Sequence, residues 1–313
     1  MKHVFGKRLA PAVLPVAASA LLLAAAGGLR AQEPVVESPA LAVRPPRQRP
    51  SVPGLPRLEP QPVPGVGELR RAFSPCLSAD LKTIVFANWF SRKTEYDLYI
   101  ATREKIDVPF GPAELIKGAA TPRTDAYPAL SADGLELVYL SADDAHLEKT
   151  PKLLRSTRPD VNSPFSQAEE LPLPLIGASR WRISNPQFLD KRRLKFCLIQ
   201  SAETRSVRIA SRSKEHSPFK SLELLPLENH WPLWWVSADG LRAYTGIDEG
   251  ICLANRNSTA DEFGPMEAVV PAKVVGKIDG PIWLAPQEDV AFYCSPGEQG
   301  SPDAGRHLMM VGF

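Results

Sequence analysis

The chain has 313 residues, enough for one or two domains or for one large repeat architecture with a sizeable core. A composition of 44% hydrophobic and 23% charged residues excludes a wholly disordered chain, although 32 prolines is about twice the usual share. The formal charge of +2 comes from the first 31 residues: 37 basic residues less Lys2, Lys7, Arg8 and Arg30 leave 33 against 35 acidic, a balance that gives no reason to expect nucleic acid as a partner.

Residues 1–31 have the pattern of a secretory signal, with a basic start, an apolar run from Pro11 to Leu29, and Leu29-Arg30-Ala31 as the cleavage end. An uncleaved anchor is the alternative, weakened by Pro15 and Gly27-Gly28. Export predicts a periplasmic or cell-surface protein, not integral to the membrane once the signal is removed. Residues 32–66 carry ten prolines between Pro34 and Pro64 and few aromatics, which predicts an extended, solvated tether. Export also permits disulfides, but Cys76, Cys197, Cys252 and Cys294 each lie in or beside an apolar run, where a buried thiol is the simpler reading.

From residue 67 the sequence repeats. An arginine is followed seven residues later by phenylalanine and four later still by glutamate, as Arg103/Phe110/Glu114, Arg158/Phe165/Glu169, Arg212/Phe219/Glu223 and Arg256/Phe263/Glu267. Each unit holds short apolar or alternating runs between turn residues. In the second these are Ala126–Ser131, Leu135–Leu140, Lys152–Thr157 and a strand near Glu170–Leu173. Ser131-Ala132-Asp133-Gly134 marks the first turn, because aspartate bonds the backbone ahead of it and glycine accepts positive φ. Ser237-Ala238-Asp239-Gly240 repeats it, and Ser78-Ala79-Asp80-Leu81 keeps it without the glycine. Four strands per unit without helical periodicity predict an all-β propeller of about five four-stranded blades over residues 67–313. The fifth unit, from Pro281 to the chain end, lacks a fourth strand, and Gly67–Ala72 resembles one. A closing strand near residues 67–72 is therefore expected to complete the ring.

Tyr127-Pro128-Ala129-Leu130-Ser131-Ala132-Asp133-Gly134, Leu137-Val138-Tyr139-Leu140-Ser141 and Asp97-Leu98-Tyr99-Ile100 resemble the WD-like propeller repeats of the TolB carboxy-terminal domain and of many exported bacterial proteins. The resemblance covers residues 67–313. It implies a periplasmic or cell-surface propeller used for protein contact and sometimes for carbohydrate. TolB has six blades and an added α/β domain, so its partner set does not carry over.

Catalytic signatures are sparse. No Gly-x-Ser-x-Gly elbow and no His-Glu-x-x-His helix occurs, and His146, His216, His230 and His307 are too far apart in sequence to suggest zinc. No cofactor or metal is implied. Glycoside hydrolysis needs two carboxylates across a sugar bond, for which Asp125 and Asp279 stand in comparable places ahead of two first strands. Loop capping suits both equally. Trp181, Trp231, Trp234, Trp235 and Trp283 lie in or ahead of later first strands, with Tyr127 in the related place of the second unit. Indole faces there stack on sugars or grip a peptide, while packing between blades is the competing role. The candidate channel-mouth residues are thus Tyr127, Trp181, His230, Trp231, Trp283, Asp125 and Asp279. Together these features predict a non-catalytic binding or scaffold module for a protein or envelope polysaccharide, with a carbohydrate-active enzyme as the alternative.

Overall fold

A computed structural model describes residues 50–89, 96–143, 151–172, 182–190, 195–201, 206–215, 217–225, 234–296 and 305–313. The described residues all belong to one compact unit, Val43–Phe313. After a short β1 (Gln61–Pro62), the strands run in consecutive groups: β2 (Phe73–Leu77), β3 (Thr83–Asn88), β4 (Asp97–Thr102) and β5 (Glu114–Leu115); then β6 (Thr124–Leu130), β7 (Glu136–Ala142), β8 (Lys152–Thr157) and β9 (Glu169–Glu170). The third group is β10 (Arg182–Phe188), β11 (Lys195–Ser201), β12 (Ser206–Ser211) and β13 (Ser221–Leu225). The fourth is β14 (Trp234–Val236), β15 (Arg242–Ile247), β16 (Gly250–Asn255) and β17 (Glu267–Pro271), followed by one helical turn, α1 (Ala272–Val275). Last come β18 (Trp283–Leu284), β19 (Val290–Pro296) and β20 (Arg306–Gly312).

Among the described residues these strands pair antiparallel into four-stranded sheets, five in number, and the fold is an all-β propeller. Neighbouring sheets are joined in chain order. The Asp125 amide donates to the Tyr96 carbonyl at 2.8 Å, Arg212 pairs with Glu136, the Gln187 side chain meets Val236, Arg242 pairs with Glu288, and the Cys294 thiol donates to the Ala72 carbonyl at 3.6 Å.

The repeated arginine and phenylalanine have one physical cause. Each guanidinium lies over its own phenylalanine ring, at 4.3 Å for Arg103/Phe110, 4.7 Å for Arg158/Phe165, 4.8 Å for Arg212/Phe219 and 4.6 Å for Arg256/Phe263. In three units the same arginine also reaches back to the first turn, where Arg103, Arg158 and Arg256 donate through Nε to the carbonyls of Leu81, Gly134 and Gly240 at 2.7–2.8 Å. One side chain therefore ties the end of the third strand to the first turn and to the entry of the fourth strand. The repeated glutamates sit on that fourth strand, opposite Ile100, Arg155, Ile209 and Leu253. In the turns, Ser78, Ser131 and Ser237 each donate to the aspartate two residues on at 2.6 Å. Gly134 and Gly240 take φ of 75° and 73° there, while Leu81 and Glu288 hold the same place at 60° and 57° with a side chain attached.

The ring closes differently from the expectation. Residues 67–72 form no strand; the Gly67 and Leu69 amides are used in turns, donating to the Val63 and Val66 carbonyls. The fourth strand of the last sheet is β1, with Gln61 opposite Met310 and Pro62 opposite Met309. A two-residue edge strand tolerates proline, which has no amide to donate. The expected tether over 32–66 is accordingly too long. From residue 50 onward the chain packs on the last sheet, with Val52, Leu55, Val63 and Val66 buried, the Leu58 amide donating to the Gly312 carbonyl at 2.7 Å, and the Ser51 hydroxyl donating to Asp289 at 2.8 Å. Cys76, Cys252 and Cys294 are buried unpaired thiols, and the Cys197 side chain lies outside the described set. Among the described residues no helix is long and apolar enough to cross a membrane.

Candidate ligand cavity in the channel

The innermost strands do not run straight. Ser74, Tyr127 and Asn185 carry φ of 51°, 52° and 49°, each immediately before a proline, and the pairing register slips at all three places. Proline bars its predecessor from the right-handed helical region, and the extra residue is accommodated as a bulge. Each such residue costs on the order of 1 kcal/mol, and repetition in three sheets makes the bulge a constructed feature.

A cavity of about 530 Å³ extends from the level of these bulges to the first turns of the sheets. Every sheet contributes the end of its inner strand to the wall. The central level consists of Cys76, Ala129, Gln187, Trp235 and Trp283, which stand opposite Val85, Val138, Cys197, Tyr244 and Phe292 in their sheets. Around it lie Leu77, Leu130, Phe188, Ile282 and Leu284, with Pro75, Pro128, Pro186 and Pro286. The wall is therefore mainly apolar, and the volume is that of a small-molecule site.

Its polar groups are few. Gln187 is held by β14: its amide nitrogen donates to the Val236 carbonyl at 2.7 Å and its oxygen accepts from the Val236 amide at 2.9 Å. At the turn end stand Asp190, Asp239, Arg242 and Glu288. Glu288 accepts two bonds from Arg242, at 2.5 and 2.9 Å, and one from the Tyr244 hydroxyl at 2.8 Å. Arg242 also donates to Asp239 at 2.9 Å, and the Glu288 fork pushes the arginine still further toward its charged form. Burial opposes ionisation of Asp239, but bonds from the Ser237 hydroxyl and the Leu241 amide, together with Arg242, prevail and hold its carboxyl below the usual range. This network between the fourth and fifth sheets was not visible in sequence, and the one signal of it is Glu288 in a turn position where two other copies have glycine, Gly134 and Gly240. Cys76 is on the wall as a protonated thiol, its pKa raised by burial. At the bulge level Ser74, only 2% exposed, has a hydroxyl with no hydrogen-bond partner among the described residues.

Of the candidate residues, Trp283 lies on this wall, and its indole meets Phe292 edge-on at 5.7 Å. Trp235, at the equivalent level of the fourth sheet, meets Tyr244 edge-on at 5.8 Å. Tyr127 and Asp279 come together elsewhere. Asp279 accepts from Arg306 at 2.5 Å, Arg306 lies 5.2 Å over Phe73, and Phe73 packs edge-on against Tyr127 at 5.9 Å and Tyr96 at 4.6 Å. Asp125 is inaccessible to solvent. It caps the incoming loop, accepting from the Thr121 amide and hydroxyl, both at 2.8 Å, and burial pushes its pKa up to about 6 against these bonds. The two carboxylates considered for sugar hydrolysis are thus a loop cap and an arginine partner, and neither lines the cavity. Trp181, His230 and Trp231 lie outside the described residues.

Fold and cavity together define a β-propeller with a ligand-sized space in its channel. No known family pattern and no curated protein matches the sequence. Solved structures of similar fold include TolB from Acinetobacter baumannii, at 14% identity and a TM-score of 0.44, covering 78% of this chain and 55% of that one. This chain thus spans little more than half of that TolB. The catalytic domain of the GH62 alpha-L-arabinofuranosidase of Coprinopsis cinerea gives 13% and 0.49, covering 82% and 97%. A family 117 glycoside hydrolase of Zobellia galactanivorans gives 12% and 0.49, covering 82% and 91%. At such identities the likeness is one of fold alone. It nonetheless corrects one expectation: structures of this likeness include glycoside hydrolases beside TolB, so the propeller fold gives no ground for holding that the chain is not an enzyme.

Proposed function

We propose that the chain is an exported, five-bladed binding propeller that takes a small ligand with an apolar body into its channel cavity. The carrying observation is the wall, to which all five sheets contribute leucine, isoleucine, proline and tryptophan around about 530 Å³. Burying such a ligand releases roughly 25 cal/mol for each Å² of apolar surface removed from water. A polysaccharide is disfavoured as occupant. Its many hydroxyls would each need a partner, and Gln187, Arg242 and Glu288 already bond within the protein. Export rests on the signal-like residues 1–31.

The test uses a neutral fluorescent probe, N-phenyl-1-naphthylamine, with the mature chain. Saturable enhancement is expected, and it should be lost in Ala238→Trp, which plugs the cavity from an exposed rim position and leaves the unfolding temperature unchanged. Equal enhancement in the variant, or none in the parent, refutes the proposal.

A further inference from the structure

The cavity wall is uneven around the ring. At its central level the fourth and fifth sheets place Trp235 and Trp283, while the first three place Cys76, Ala129 and Gln187. With the sheets joined in chain order and the fifth closing on the first, the second sheet stands across the channel from both the fourth and the fifth. The two indoles therefore face Ala129, the smallest side chain of the level, and the free space lies between an aromatic side and a small one.

The aromatic side is built to stay in place. Trp235 is braced edge-on by Tyr244 at 5.8 Å and Trp283 by Phe292 at 5.7 Å, each a buried ring on the neighbouring strand of the same sheet. Pro75, Pro128, Pro186, Pro281 and Pro286 also line the wall, and their fixed φ leaves its backbone little freedom to close on a slimmer occupant. The Gln187 amide commits its donor and its acceptor to Val236. A rigid wall favours a rigid ligand, because a flexible chain loses rotamer freedom on entering and a ring system does not. An aromatic ring also gains offset or edge-on contact with indoles beyond the area it buries, which a saturated ring of the same skeleton lacks.

We infer that the ligand is a planar aromatic ring system, held against Trp235 and Trp283 on one side and seated toward Ala129 on the other. The inference rests on the cavity reading above and names the ligand class for that same site.

Three ten-carbon alcohols separate aromaticity from bulk and from flexibility: 2-naphthol, its saturated analogue decahydro-2-naphthol, and 1-decanol. Each is titrated against the mature chain by calorimetry. 2-Naphthol should bind about tenfold tighter than decahydro-2-naphthol, although the saturated compound has the larger apolar surface, and 1-decanol more weakly than 2-naphthol. The preference for the aromatic compound should shrink in Trp235→Leu and in Trp283→Leu, with the unfolding temperature of each variant checked. A second measurement needs no variant: bound 2-naphthol should show proton NOEs to indole rings of the parent chain. Decahydro-2-naphthol or 1-decanol binding as tightly as 2-naphthol, a preference undiminished in both variants, or bound 2-naphthol without an NOE to any indole overturns the aromatic assignment and leaves the cavity reading standing. No binding of any of the three also overturns the assignment, and if the neutral probe gives no response either, the cavity reading falls with it.

Discussion

Glu136 offers a quantitative test of how the second and third sheets are held together. Its carboxylate is fully buried and lies 3.0 Å from Arg155 Nε and 2.8 Å from Arg212 Nη2, whose side chains are 9% and 0% exposed. At an effective dielectric of about 20, each contact corresponds to roughly 5–6 kcal/mol of Coulomb attraction, most of which offsets the removal of the charges from water. The net value of the cluster is therefore modest, but the cost of breaking it is not. Glu136→Gln removes a buried carboxylate from between Arg155 and Arg212, and the expected loss is about 3–5 kcal/mol. Lys152 and Glu170 give the contrast: at 2.7 Å they are as close, but 49% and 59% exposed, and Glu170→Gln should cost no more than about 1 kcal/mol. Urea unfolding of the two variants, with the slope m checked for constancy, measures both. For a domain of this size a loss of about 4 kcal/mol also lowers Tm by roughly 8–16 °C. Equal small losses in the two variants would refute the reasoning, since burial is the ground for expecting unequal costs.

Two further outcomes follow from the structure. Asp125 has a folded-state pKa of about 6, above the value near 3.9 of an unfolded chain, so the folded form holds the proton more tightly. The associated stability is fully present below about pH 4 and is lost as pH rises through 6, a change of about 3 kcal/mol. Asp125→Asn should lack this dependence and gain on the parent by up to that amount between pH 4 and 7; parallel urea midpoints across that range would contradict the assignment. Deleting residues 50–62 removes β1, uncovers the edge of β20 and exposes the contacts of Val52 and Leu55, each worth about 1.5–3 kcal/mol. A lower Tm and concentration-dependent association through the bared edge are expected, and unchanged unfolding of a monomer would show that the strap closes nothing.

The features legible in sequence are those whose physics is local. Ser131-Ala132-Asp133-Gly134 announces a turn because its hydrogen bonds span only a few residues, and the Arg158 to Phe165 spacing recurs because one guanidinium stacks within its own unit. Closure is not local. Gly67–Ala72 imitates a fourth strand in composition, but the pairing is made by Gln61 and Pro62 with Met310 and Met309, near the other end of the chain. A proline-rich stretch reads as a tether because nothing in its own residues announces the partner edge. The cavity is hidden for the same reason, being built at one level from Cys76, Ala129, Gln187, Trp235 and Trp283, residues unlike one another and far apart in sequence. Asp125 and Asp279 illustrate the reverse case: equivalent in sequence position, they are separated by what reaches them, Thr121 for one and Arg306 for the other. Repetition in this chain therefore marks scaffold, and the places where a copy departs from the repeat, Gln187 opposite β14 and Glu288 in a glycine's turn, are where the sheets are joined and the cavity acquires its charge.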